Sequence, residues 1–142
     1  MILVDADACP VKDVVERVAG EYGMPVVMFI DTSHLLEGVR AEVVTVDKAR
    51  DAVDIALINR TRPGDIVVTQ DYGLAAMALG KGARAISQNG LIYTKDNIDR
   101  LLLERHVSQK IRRSGGRTPG PPRRTREDDE RFERALRGLI GG

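Results

Sequence analysis

Tryptophan is absent from the 142-residue chain, and aromatic residues make up only 4% of it. Extensive stacking of nucleic-acid bases on aromatic side chains is therefore not expected. Cysteine occurs once, as Cys9, which excludes an internal disulfide framework. The two histidines, His34 and His106, have neither the spacing of a zinc site nor the local context of a catalytic triad, so both kinds of site are poorly supported.

Long apolar runs are also missing. Asp5 and Asp7 interrupt the first hydrophobic stretch, and no later segment approaches the length of a membrane span. We expect no membrane partner and no secretory leader. Together with the lone cysteine, this predicts a cytoplasmic location, where thiols stay reduced. The length is sufficient for one hydrophobic core.

The net charge of +1 hides an asymmetry along the chain. Residues 105–126 carry eight Lys and Arg and no Asp or Glu, and because Gly and Pro interrupt the later part of this segment, we expect the block from Arg112 to Arg126 to stay extended. Such a block is typical of polyanion binding, although it also fits a solvated tail that keeps a protein in solution. The candidate nucleic-acid contacts are Lys12, Arg112, Arg113, Arg117, Arg123 and Arg124.

Short apolar runs alternate with segments of helical periodicity. The predicted strands cover 1–4, 25–30, 42–46, 65–69 and 83–87. Helices are predicted after all of them but the second. This alternation predicts an α/β fold, a three-layer sandwich with helices on both faces of a mainly parallel sheet of about five strands. Residues 1–111 would form this domain, 112–126 a basic linker, and 127–142 a short amphipathic helix whose packing partner stays open.

Acidic residues follow several of these strands. Asp5 and Asp7 come just after the first, Asp71 follows the fourth, and Asp51 and Asp54 lie near the start of the helix after the third. Binding sites of parallel α/β sheets lie beyond the carboxyl ends of the strands. Close carboxylates repel one another unless a cation lies among them, so we expect Mg²⁺ or Mn²⁺ bound by Asp5, Asp7, Asp54 and Asp71. Any one of these residues alone also fits a helix cap.

Four ordered motifs carry a resemblance to a known family. They are Asp5-Ala6-Asp7-Ala8-Cys9-Pro10-Val11-Lys12, Asp51-Ala52-Val53-Asp54, residues 64–75 and residues 112–118. Over nearly the whole chain, the sequence resembles the uncharacterised bacterial YaiI/YqxD family, also called UPF0178 or DUF188, which is similar to PIN-domain ribonucleases. The resemblance implies a PIN-like fold with Mg²⁺ or Mn²⁺ at acids after strand one, on a mid-chain helix and after strand four. The matching catalytic positions are Asp5, either Asp51 or Asp54, and Asp71, while Asp7 is an addition to the usual pattern.

Together these features predict a metal-dependent nuclease that hydrolyses RNA phosphodiesters, with basic residues holding the backbone. A non-catalytic protein that binds metal or RNA is the main alternative. A haloacid-dehalogenase-like phosphatase would use Asp5 and Asp7, but it requires more acids after the fourth strand than Asp71 alone. Cys9 near a helix start is a further candidate, as a nucleophile of lowered pKa. The sequence leaves open whether the chain is a dimer.

Overall fold

The computed structural model describes residues 1–31, 36, 38–49, 51–115 and 123–141. Strands and helices alternate from the first residues onward, as the apolar periodicity predicts. The elements are β1 Ile2–Asp5, α1 Lys12–Tyr22, β2 Val26–Asp31, β3 Glu42–Val46, α2 Ala52–Arg60, β4 Ile66–Val68, α3 Tyr72–Gly80, β5 Arg84–Ile86, β6 Ile92–Tyr93, α4 Lys95–Arg113 and α5 Arg126–Gly141.

The strands form one sheet in the order β3-β2-β1-β4-β5-β6. Among the strands of the described residues, five are parallel and only β6 runs antiparallel to its neighbour β5. The predicted α/β class with a mainly parallel sheet is confirmed, with β6 as an added short strand. The strand order reverses between the adjacent strands β1 and β4, and in sheets of this kind the crevice beyond that point is where ligands bind.

Helices cover both faces of the sheet, which gives the three layers. Side chains alternate along β1, so that Ile2 and Val4 pack with α1 and α5 while Leu3 packs with α2, α3 and α4. All three of these side chains are fully buried. Burial on both faces explains why the strands read as continuous apolar runs rather than as alternating patterns.

The prediction of an extended basic segment from Arg112 onward is wrong for its first part. Arg112 and Arg113 lie in the last turn of α4. A capping box starts this helix, since the Thr94 hydroxyl accepts from the Asn97 amide (3.2 Å) and the Asn97 side chain accepts from the Thr94 amide (2.8 Å). No Gly or Pro occurs between Thr94 and Gly115, so the helix continues through the charged residues. Arg117 lies outside the described residues.

The C-terminal helix α5 packs on the sheet beside α1. Its residues Phe132 and Leu136 are fully buried in the same core as β1. Arg17 of α1 pairs with Glu133 of α5 (2.6 Å), which flanks this buried contact. In the described part of the chain, no helix is long and apolar enough to cross a membrane.

Candidate acidic site

Thr69 joins the carboxyl ends of β1 and β4, where the strand order reverses. Its hydroxyl donates to Asp5 Oδ2 (2.9 Å) and accepts from the backbone amide of Asp71 (3.0 Å). Thr69 is only 3% exposed. One buried hydroxyl therefore holds the two predicted acids that come from different strands. Sequence reasoning missed this residue, although a hydroxyl side chain between a buried strand and a candidate acid was a usable signal.

Asp71 is the N-cap of α3. Its Oδ1 accepts hydrogen bonds from the amides of Gly73 (2.8 Å) and Leu74 (3.2 Å). Asp71 therefore has the helix-cap role that the sequence allowed for any one of these acids. A Cβ on Gly73 would lie 3.2 Å from the same oxygen, so the glycine leaves room for the cap. Arg105 Nη1 of α4 lies 3.8 Å from Asp71 Oδ1, in an ion pair that is partly open to solvent.

Asp5 is the last residue of β1 and lies mostly out of solvent. Burial raises the pKa of its carboxyl group above the ordinary value. The hydrogen bond from Thr69 lowers that pKa in part, whereas the negative charges of Asp7 and Asp71 raise it further. The Thr69 hydroxyl therefore holds the Asp5 carboxylate in place, in surroundings that disfavour its charge.

Asp54 lies in the first turn of α2 and faces the same carboxylates. Its pKa is raised to about 6. Burial is the largest cause, and the negative charges of Asp71, Asp5 and Asp51 add to it. Asp51 directly precedes the helix with a φ of +62°, and its side chain makes no cap hydrogen bond to it. Of the two acids that the motif leaves open, Asp54 is the partly buried one, and Asp51 is exposed. We call Asp5, Asp7, Asp51, Asp54 and Asp71 the acidic cluster.

Asp7 and Cys9 lie in the loop between β1 and α1. Ala8 between them has a φ of +54°, a left-handed conformation that is uncommon without glycine. The loop borders a cavity of about 180 Å³ that is also lined by Asp5 and Thr69. Cys9 is buried, and burial raises the pKa of its thiol, so the hypothesis of a thiol with a lowered pKa is wrong.

The acidic cluster suits a hard divalent cation in its chemistry, because carboxylate oxygens are the ligands that Mg²⁺ and Mn²⁺ prefer. Within the described residues, however, no three His, Cys, Asp or Glu side chains are close enough to hold a metal ion together. Thr69 and the α3 backbone fix Asp5 and Asp71 in their own positions, so the predicted ligands Asp5, Asp7, Asp54 and Asp71 do not form a closed cage. The residues instead fit an open site, in which Mg²⁺ keeps water ligands and takes one or two carboxylates.

A cleft of about 690 Å³ opens beside Asp5 and Asp71. One wall consists of Gln70 and Tyr72, which belong to the turn after β4 and to the start of α3. The second half of α4 forms the opposite wall with Glu104, Arg105, Ser108, Gln109 and Arg112. Of the predicted nucleic-acid contacts that the structure describes, only Arg112 lines this cleft. Arg105 was not among them because its position depends on how α4 packs against α3.

The other basic candidates lie elsewhere. Lys12 is the first residue of α1 and lies near enough to Cys9 to influence its pKa. Arg113 and Arg123 are exposed. Arg124 donates to the Asp129 carboxylate (2.8 Å), the Asn89 side chain (2.7 Å) and the Gln88 carbonyl (2.8 Å). These bonds fasten the start of α5 to the turn before β6, so Arg124 has a structural role.

Comparison with known proteins places the chain in a family. The model of the DUF188 family, described as "Uncharacterized BCR, YaiI/YqxD family", matches residues 3–142. A UPF0178 protein of Ruminiclostridium cellulolyticum is 65% identical over 135 residues, covering 95% of this chain and 88% of that protein. A UPF0178 protein of Clostridium acetobutylicum is 56% identical over 141 residues, covering 98% and 95%.

Among solved structures, a crystal structure of a mutant of Rae1 (YacP) from Bacillus subtilis aligns with a TM-score of 0.41 and 18% identity. The alignment covers 99% of this chain and 96% of that one. The family model spans nearly the whole sequence, and the two UPF0178 relatives are more than half identical to it. The chain therefore belongs to the YaiI/YqxD family.

Proposed function

We propose that the chain is a PIN-like nuclease that hydrolyses phosphodiester bonds of RNA with the help of Mg²⁺ or Mn²⁺. One observation carries the proposal: Asp5, Asp54 and Asp71, from three separate segments, influence one another electrostatically at the switch point of a parallel sheet. These are the positions of the acids that the resemblance to PIN-type nucleases implies. Sites at such switch points commonly bind phosphate-containing ligands.

The protein's own side chains offer the groups that phosphodiester hydrolysis requires. Asp54 has a pKa of about 6, near the operating pH, which suits a group that accepts a proton from an attacking water. Arg105 lies beside Asp71 at the mouth of the cleft and can stabilise negative charge on phosphate oxygens. A bound divalent metal ion would lower the pKa of a water ligand and neutralise charge on the scissile phosphate.

Replacing single carboxylates by their amides tests the proposal. The change Asp5→Asn keeps an oxygen for the Thr69 hydroxyl, and Asp71→Asn keeps one for the amides of α3, so both variants should fold. With Mn²⁺ and a labelled single-stranded RNA, we expect either change to reduce the cleavage rate by more than about 100-fold. Asp99→Asn is the matched control, because Asp99 is exposed on α4 and does not line the cleft.

Calorimetric titration of Mn²⁺ into the same proteins provides a readout that requires no substrate. Metal binding that is lost in the double variant Asp5→Asn/Asp71→Asn, together with lost cleavage, supports the proposal. Cleavage that survives in both single variants, or that persists in excess EDTA, contradicts it and indicates a contaminating nuclease or a different site.

A non-catalytic RNA-binding protein is the second candidate. It is favoured by the absence, among the described residues, of three side chains close enough to hold a metal ion. This alternative predicts that the parent protein binds RNA without cleaving it and that the Asp5→Asn and Asp71→Asn variants bind at least as well. The cleavage and binding assays on one set of proteins therefore separate the two candidates.

A further inference from the structure

The second half of α4 presents a polar face to the cleft. Arg105, Ser108, Gln109 and Arg112 recur at helical spacing and all line the cavity beside Asp71. Arg105 and Arg112 are seven residues apart, which places them roughly 10 Å apart along the helix axis. Against the single carboxylate of Glu104 on this wall, two guanidinium groups with hydroxyl and amide groups between them match a chain of negative charges rather than a single anion.

Arg105 can exchange its present partner for a ligand. It is half exposed, and its distance of 3.8 Å from Asp71 is longer than that of a close charge-assisted hydrogen bond. Ion pairs of this kind, open to solvent, are weak. A phosphate group could therefore replace Asp71 as the partner of Arg105 at little cost.

The opposite wall of the cleft has an aromatic ring. Tyr72 lines the cavity and is partly exposed, while its ring packs edge-on against Tyr93 at a centroid distance of 5.9 Å. Positive side chains that follow the backbone and an aromatic face on which a base can stack are the two features of sites for single-stranded nucleic acids. The 690 Å³ volume lies in the range of pockets that enclose small organic ligands, so it admits only a few nucleotides.

We propose that this cleft binds a short stretch of single-stranded nucleic acid, with phosphates on Arg105 and Arg112 and one base against Tyr72. The proposal deepens the proposed function and rests on its choice of nucleic acid as the ligand. A duplex keeps its bases paired and stacked inside the helix, so it offers no base to Tyr72. Single strands are therefore the preferred ligand.

Binding in EDTA tests the proposal without any cleavage. The probes are a fluorescein-labelled 12-nucleotide U-rich RNA and a duplex RNA of the same length, followed by fluorescence anisotropy between 50 and 200 mM salt. We expect the single strand to bind more tightly. Arg105→Gln and Arg112→Gln should each weaken its binding about tenfold and reduce the slope of log K against log salt by about 0.7.

Two controls match these variants. Lys110→Gln removes one positive charge from the same helix, at an exposed residue that does not line the cleft, and should leave affinity and slope unchanged. Tyr72→Leu should weaken binding at least about fivefold through lost stacking, whereas Tyr72→Phe keeps the ring and should bind like the parent protein.

Three results would overturn the proposal: no binding of the single strand, equal or tighter binding of the duplex, or losses in the Lys110→Gln control as large as those in the Arg105→Gln and Arg112→Gln variants. The proposed function is tested separately by cleavage with metal. Weakened binding in the cleft variants without any cleavage by the parent protein would keep the binding site and reject the nuclease. Cleavage together with unchanged binding in the cleft variants would keep the nuclease and reject this binding site.

Discussion

Replacing Asp54 by Asn should stabilise the folded protein at neutral pH. In the unfolded chain this carboxyl group has its ordinary pKa of 3.8, and in the folded protein the value rises to about 6. A rise of that size corresponds to about 3 kcal/mol of destabilisation once the group is ionised. Asp54 is only partly buried, so solvent screening reduces the effect to about half that figure.

A second effect opposes the first. Asp54 lies in the first turn of α2, where a negative charge stabilises the helix by about 0.5 kcal/mol, and Asn lacks that charge. The net gain for Asp54→Asn at pH 7.5 is therefore about 1 kcal/mol, which raises the Tm of a chain of this length by about 3 °C. Asn has nearly the same shape as Asp, so the packing of α2 should not change.

The pH dependence gives the sharper test. Because the folded pKa of Asp54 is raised, its contribution favours the folded state below pH 3.8 and is lost as the pH rises through about 6. The advantage of Asp54→Asn should therefore be absent near pH 3.8, grow through this interval and stay constant above it. Thermal unfolding in EDTA between pH 4 and 8 measures this difference.

Asp47→Asn serves as the control, because Asp47 precedes the same helix but is exposed. It should give a difference in Tm that is small at every pH. A variant Asp54→Asn that unfolds at the same temperature as the parent, or whose difference from the parent does not change between pH 4 and 8, would refute the electrostatic coupling within the acidic cluster.

Two further predictions concern α5. Phe132→Ala, at a fully buried residue, should lower the free energy of unfolding by about 3–5 kcal/mol, while Arg134→Ala on the exposed face of the helix should change it little in urea unfolding. Gly90 has a φ of +88°, and a Cβ there would lie 2.9 Å from the Arg131 carbonyl oxygen, so Gly90→Ala should destabilise by about 2 kcal/mol. Gly138→Ala, within α5 and with no atom within 4 Å of its Cβ, should instead stabilise by up to about 1 kcal/mol. Equal effects of the two glycine substitutions would contradict this account.

The layered fold follows from periodicity, because strands buried on both faces leave continuous apolar runs that helical segments separate. The strand β6 could not be predicted this way. It has only two residues, Ile92 and Tyr93, and it exists because the turn before it returns the chain to the edge of β5. The packing of α5 on α1 was also beyond the sequence, since an amphipathic face shows that a partner exists and not which one it is.

The site was predictable to the extent that it depends on strand ends. Asp5 ends one parallel strand, Asp71 follows the adjacent one, and the two lie close together as predicted. The sequence argument overlooked the hydroxyl of Thr69, which joins them. Arg105 is beyond sequence reasoning for a different reason. Its place opposite Asp71 depends on the angle at which α4 crosses α3, and residue spacing within one helix does not determine that angle.

The charges of the acidic cluster explain why convergence of carboxylates alone does not define a metal cage. Close carboxylates repel one another unless a cation lies among them, yet the protein reduces this repulsion in three other ways. The Asp71 carboxylate accepts hydrogen bonds from two backbone amides and lies 3.8 Å from Arg105. Asp5 is held by the Thr69 hydroxyl. Asp54, with a pKa of about 6, keeps its proton below that pH. A metal ion that binds here must compete with Arg105 for Asp71 and with the proton for Asp54. Metal affinity should therefore rise with pH. It should also increase in the Arg105→Gln variant, even though that variant binds the nucleic acid less tightly.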